Sequence, residues 1–180
     1  MKMVKGLVVA GIAAALLAGC GSNNGNTAEN TNKPAEQTDV TTTASIVNQA
    51  DAFTNAVSEK GTWIVAILDD LTVDKDVVVA GEFHDKNDAA KDIYRKIALY
   101  TQDEDHNITA SFTLTVPKLT VQSENLRIQG GTVKGDVYVE ANGFNLDKTA
   151  TIDGNLYFAN ADVQASAKID GKVTGATEVK

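Results

Sequence analysis

Three segments in the last third of the chain repeat one pattern, and a repeat of this length leaves few folds open. Val133-Lys134-Gly135-Asp136-Val137-Tyr138-Val139, Ile152-Asp153-Gly154-Asn155-Leu156-Tyr157-Phe158 and Ile169-Asp170-Gly171-Lys172-Val173-Thr174-Gly175 share the form apolar-x-Gly-x-apolar. Their glycines stand 19 and 17 residues apart. A unit this short cannot bury its own apolar face, so neighbouring units must stack. The alignment predicts Val133 beside Ile152 beside Ile169, and Val137 beside Leu156 beside Val173. Glycine suits the middle position where the chain bends or where no side chain fits. Val73-Asp74-Lys75-Asp76-Val77-Val78-Val79 has the same apolar spacing with lysine in the glycine place, which predicts an earlier, degenerate unit. The expected architecture is mainly β, a right-handed parallel β-helix (β-solenoid) whose clearest repeats cover residues 132–175.

Upstream segments fit that expectation. Trp63-Ile64-Val65-Ala66-Ile67-Leu68, Val77-Val78-Val79 and Lys96-Ile97-Ala98-Leu99-Tyr100 are β-branched or apolar runs bounded by polar turns, and read as strands. Ile108 to Val116 alternates apolar residues with serine and threonine, which puts one face in the core and one in water. Glu82–Lys91 and Thr101–Asn107 are crowded with Asp, Lys, Asn and His and read as loops. Ahead of the strands, Ile46, Val47, Ala50, Phe53, Ala56 and Val57 recur at helical spacing before Gly61, which predicts one capping α-helix from about Ser45 to Lys60.

The N-terminus has a different character. Lys2 and Lys5 precede an apolar run from Gly6 to Leu17, the form of a signal peptide and too short for the roughly 20 apolar residues of a permanent membrane span. Leu17-Ala18-Gly19-Cys20 resembles the lipobox of bacterial lipoproteins residue by residue. The resemblance implies a diacylglycerol on the Cys20 sulfur and cleavage before Cys20, with the freed amine open to a further acyl group such as palmitate. Thiolate nucleophilicity explains why that position is cysteine, and two acyl chains give stable attachment where one gives only reversible binding. Residues 1–19 are then the signal peptide. Residues 20–42 carry the lipid and a Gly, Ser, Asn, Thr and Glu-rich linker, a coil holding the domain about 25 Å from the membrane. Residues 43–180 form a single domain.

Charge restricts the partners. The chain has 16 Lys and Arg against 24 Asp and Glu, and without Lys2 and Lys5 the balance is 14 to 24, a net charge near −10. Nucleic acid is not an expected partner. Cys20 is the single cysteine, so no disulfide forms within one copy. His84 and His106 occupy separate polar segments without the paired spacing of a zinc site. Asp85-Lys86-Asn87-Asp88 and Asp103-Glu104-Asp105 offer oxygen ligands but not the spaced acidic loop that closes on a bidentate glutamate. No Gly-x-Ser-x-Gly elbow or other catalytic spacing stands out. The expectation is a protein without catalytic residues, bound metal or cofactor beyond the lipid on Cys20.

One outward feature is specific. Tyr138 and Tyr157 hold equivalent places in consecutive repeats and should stack about 4.8 Å apart on the outside, beside Asp136 and Asn155. This ladder either stabilises the stack or faces a ligand such as a cell-envelope polysaccharide. Residues 132–175 also resemble the bactofilins, in which short glycine-marked repeats build a β-helix that associates end to end. That resemblance implies self-association through the ends of the stack. The sequence therefore leads to an exported, membrane-tethered envelope protein with a structural role, or alternatively to an extracellular carbohydrate- or ligand-binding module.

Overall fold

The computed structural model describes residues 44–180. The lipobox residues Leu17, Ala18 and Gly19, the lipidation site Cys20 and the linker to residue 42 lie outside the described residues.

The domain is mainly β, and two parallel sheets carry it. The first contains Ser45–Ile46, Ile64–Ala66, Arg95–Ala98, Leu126–Gln129, Asn145–Leu146 and Lys168–Ile169, neighbours in that order. The second centres on Thr113–Val121 and Thr132–Val139. Leu71–Thr72 and Val77–Val79 pair with the former, while Thr151–Asp153 and Leu156–Phe158 pair with the latter. Lys172–Val173 and Thr177–Val179 follow as the last strands. In both sheets the spatial order is the chain order, and the chain passes repeatedly from one sheet to the other.

In-register pairing makes columns of like side chains. Val65, Ile97, Ile128 and Leu146 are successive partners in the first sheet and are at most 1% exposed. Leu114, Val133 and Ile152, then Leu119, Val137 and Leu156, then Val121, Val139 and Phe158 do the same in the second. Each such side chain contributes about 1.5–3 kcal/mol on leaving water, so these columns dominate what holds the fold together. At the bend between two columns, Gly135 stands alone opposite Val116 and Pro117, since Lys134 pairs Thr115 while Asp136 pairs Lys118. That is a β-bulge, and its φ of 140° with the Val116 carbonyl packed against the α-carbon explains the glycine.

The third repeat is displaced from the expected register. Val173, not Ile169, pairs with Ile152, and Thr177, not Val173, pairs with Leu156; Ile169 lies beside Leu146 in the other sheet. The partner offset is 19 residues at Val137/Leu156, 23 at Asn145/Lys168 and 21 at Leu156/Thr177. A helix the periodicity did not predict, Ala161–Ser166, lengthens one turn, and a tighter bend after Ile169 recovers two residues. Asn160 caps this helix, its side chain accepting from Val163 N at 2.9 Å. The counterpart of Gly154 is thus Gly175, whose N–H donates to the Gly154 carbonyl at 2.9 Å. Upstream, Leu71 rather than Val73 partners Leu114, and Val73 is buried in the bend that follows.

The N-terminal helix spans Ala50–Ala56, shorter than the periodicity predicts. Ser45–Ile46 is a strand paired with Val65–Ala66, and Ile46 is exposed rather than part of the helical stripe. β-branched Ile46 and Val47 favour extended chain there. Phe53 and Val57 are fully buried and close the N-terminal end of the core. The two expected loops carry antiparallel pairing: Tyr100–Gln102 with Ile108–Ser111, and a single bridge between His84 and Ile93.

Candidate functional site

The structure brings Tyr138, Tyr157, Asp136 and Asn155 together. Tyr138 and Tyr157 are register partners with ring centroids 4.7 Å apart, tilted by 46°. Lys118 stands 5.5 Å from the Tyr138 ring and Lys180 3.5 Å from the Tyr157 ring, both at cation–π range. Its contact with Tyr157 holds the Lys180 ammonium above its ordinary pKa. Tyr157 is only 8% exposed, so most of its ring is already in contact with the protein. Beside the ladder, Asp136 Oδ1 accepts from both Asn155 N and Asn155 Nδ2 at 2.9 Å, and Asn155 Oδ1 accepts from Ala176 N at 2.9 Å. These bonds tie Asp136 to the connections at Asn155 and Ala176. A cavity of about 220 Å³ adjoins the rings, bordered by Glu140, Ala159 and Lys180.

A second polar cluster escaped the sequence reading. Lys96 and Arg127 are partners on adjacent strands of the first sheet, facing away from the core. Lys96 Nζ donates to Tyr100 Oη at 2.7 Å, and burial lowers its pKa to about 8. Arg127 pairs with Asp147. Burial alone would raise the Asp147 carboxyl, but bonds from Thr149 and Arg127 outweigh it and hold it below its ordinary value. Tyr94 is nearby, its ring edge-on to Trp63 at 6.0 Å, and burial raises its hydroxyl. The signal available in the sequence was weak: a lysine and an arginine in otherwise apolar strand runs.

Beside Tyr94 opens a cavity of about 800 Å³, lined also by Asp85, Lys91, Asp92, Ile93 and Asn125. His84 organises its loop, with Nδ1 on the Lys91 carbonyl at 2.7 Å and Nε2 on Glu82 at 3.2 Å. His106 contacts Gln102 at 2.9 Å in the other polar segment. Among the described residues no group of three or more His, Cys, Asp or Glu is placed to hold a metal ion.

The two ends of the stack differ. Helix Ala50–Ala56 covers one, whereas Ile169 and Val179 are 37% and 44% exposed at the other. Comparison of the chain with protein-family models, curated proteins and solved structures finds no match.

Proposed function

We propose that this chain is an exported lipoprotein, anchored to the cell membrane through Cys20, whose domain is a right-handed parallel β-solenoid with a structural, self-assembling and non-catalytic role in the cell envelope. The lipobox supports the anchor, and the parallel columns with chain-order strands support the solenoid. The observation that carries assembly is the asymmetry of the two ends. Phe53 and Val57 seal one, while Ile169 and Val179 continue the core columns into solvent at the other. Open strand edges beside apolar side chains recruit further strands. Electron microscopy of the purified domain tests this: ordered oligomers or filaments are expected, and monomers alone would refute it.

A second reading, binding of envelope polysaccharide at Tyr138 and Tyr157, draws on the cavity beside the two rings. Loss of cell-wall retention in a Tyr138→Ala, Tyr157→Ala variant of unchanged oligomeric state is the outcome that would favour it.

A further inference from the structure

The outward face of the first sheet carries more hydrogen-bond donors than the fold uses. Arg95 and Ile97 turn into the core, so Tyr94 and Lys96 turn out, and Tyr100 lies further along on the same side in contact with Lys96. The Lys96 ammonium has three donors, of which Tyr100 takes one. Arg127 Nε is buried without a partner among the described residues. The neighbouring carboxylate is no help, because Asp147 is engaged by Arg127 and by Thr149 N and Oγ1 at 3.0 and 2.6 Å. Two cations therefore share one carboxylate. The Arg127 side chain is 36% exposed, so an anion from solvent can reach this pair.

The large cavity adjoins this cluster through Tyr94, two residues and about 7 Å from Lys96 along the strand. Trp63 fixes the Tyr94 ring, and Asp85, Asp92 and Asn125 supply acceptors at the mouth. Lys91 balances Asp85 at 3.7 Å. The loop is held in shape by its own bonds, with Asp85 N on Asp92 O at 3.1 Å and Tyr94 N on Phe83 O at 2.8 Å. It is a preformed concavity with one aromatic wall, and the Lys96–Arg127 pair lies next to it beyond Tyr94.

We propose that this cavity and the Lys96–Arg127 pair beside it together bind an acidic saccharide, with a sugar ring against Tyr94, hydroxyls on Asp85, Asp92 and Asn125, and a carboxylate or phosphate on Lys96 and Arg127. The site is separate from the Tyr138/Tyr157 ladder and independent of assembly. Lys96 is the group whose charge depends on pH near neutrality; Tyr94, Tyr100, Arg127 and Asp147 are the titratable groups facing it. Affinity should therefore fall as pH rises through about 8.

The test is calorimetric titration of the full chain with a galacturonate trimer, with a hexose phosphate and with a neutral galactose trimer. One or both anionic probes should bind, identifying the anion, and the neutral trimer should bind at least about tenfold more weakly. Lys96→Met and Arg127→Gln should each weaken the anionic probe about tenfold, whereas exposed Lys134→Gln and the Tyr138→Ala, Tyr157→Ala variant should not. Wild-type titrations at pH 7 and pH 9.5 provide a readout that needs no variant to fold. Equal binding of the neutral trimer, unchanged affinity in Lys96→Met or at high pH, or no binding tighter than about 1 mM would overturn the proposal.

Discussion

The main-chain oxygen of Gly135 occupies the space that a side chain on Gly154 would need. Both residues lie at the bends of consecutive repeats, so each turn of chain is pressed onto the previous one through bare backbone. Gly154→Ala must push the strands apart, and overpacking of this kind costs about 1–3 kcal/mol. Urea denaturation should show a lower midpoint, and an unchanged one would mean that the bends are not in contact.

Leu156 sits in the middle of a column, fully buried between Val137 and Thr177. Leu156→Ala should cost about 2–5 kcal/mol. Leu156→Asp should cost more, of the order of the whole domain's roughly 5–15 kcal/mol. Thermal melting measures both, and wild-type behaviour of the aspartate variant would disprove the column.

Arg95 is fully buried, and among the described residues no carboxylate pairs with its guanidinium. It donates to the carbonyls of Ala56 and Ser58 at 3.0 Å, to Ser123 Oγ at 2.9 Å and to the Ala80 carbonyl, and burial lowers its pKa to about 10. It pins the end of the capping helix to two later turns of chain. Arg95→Leu leaves the Ala80 carbonyl and Ser123 Oγ without that donor, while Thr62 N and Gly61 N still bond the Ala56 and Ser58 carbonyls, and it should cost about 1–3 kcal/mol. Lysine cannot reproduce the planar fork. Hydrogen exchange in Arg95→Leu should show residues 50–58 opening first; uniform exchange with the rest of the domain would contradict this role.

Both neighbours of the His84 ring, the Lys91 carbonyl and the Glu82 carboxylate, are acceptors, so the ring satisfies both only when protonated. The bond to the Lys91 carbonyl is the largest cause raising its pKa above 6.5. A raised pKa means the added stability is complete below 6.5 and is lost as pH rises through the higher folded-state value. The loop around Asp85–Asp92 should accordingly loosen on the alkaline side. An NMR titration of the His84 ring should give a midpoint above 6.5, and one at or below it would contradict the bonding.

How far the sequence could be read depended on what set the register. Val133, Ile152, Val137 and Leu156 were legible because one 19-residue offset relates both pairs. Ile169 and Val173 were misassigned because Asp170-Gly171 imitates the preceding repeat, while the helix Ala161–Ser166 has shifted the true counterpart to Gly175. The tyrosine ladder followed from period-two alternation, whereas its lysine partners did not, since Lys118 and Lys180 reach it from other strands. The Lys96 cluster was invisible for the same reason: Tyr94, Arg127 and Asp147 meet only through pairing between distant segments.

Assembly through the C-terminal edge is tested most directly by removing an edge donor and nothing else. Lys172 N donates inward to Ala150 O at 3.1 Å, and Lys180 N to Phe158 O at 2.9 Å, so Val173 and Val179 turn their N–H groups to the open side. Proline at Val179 removes such a donor without breaking an internal bond. Light scattering of the domain, residues 44–180, should give a mass that rises with concentration for wild type and stays monomeric for Val179→Pro at equal melting temperature. A wild type that stays monomeric to about 1 mM, or a Val179→Pro variant that assembles equally well, would contradict the account.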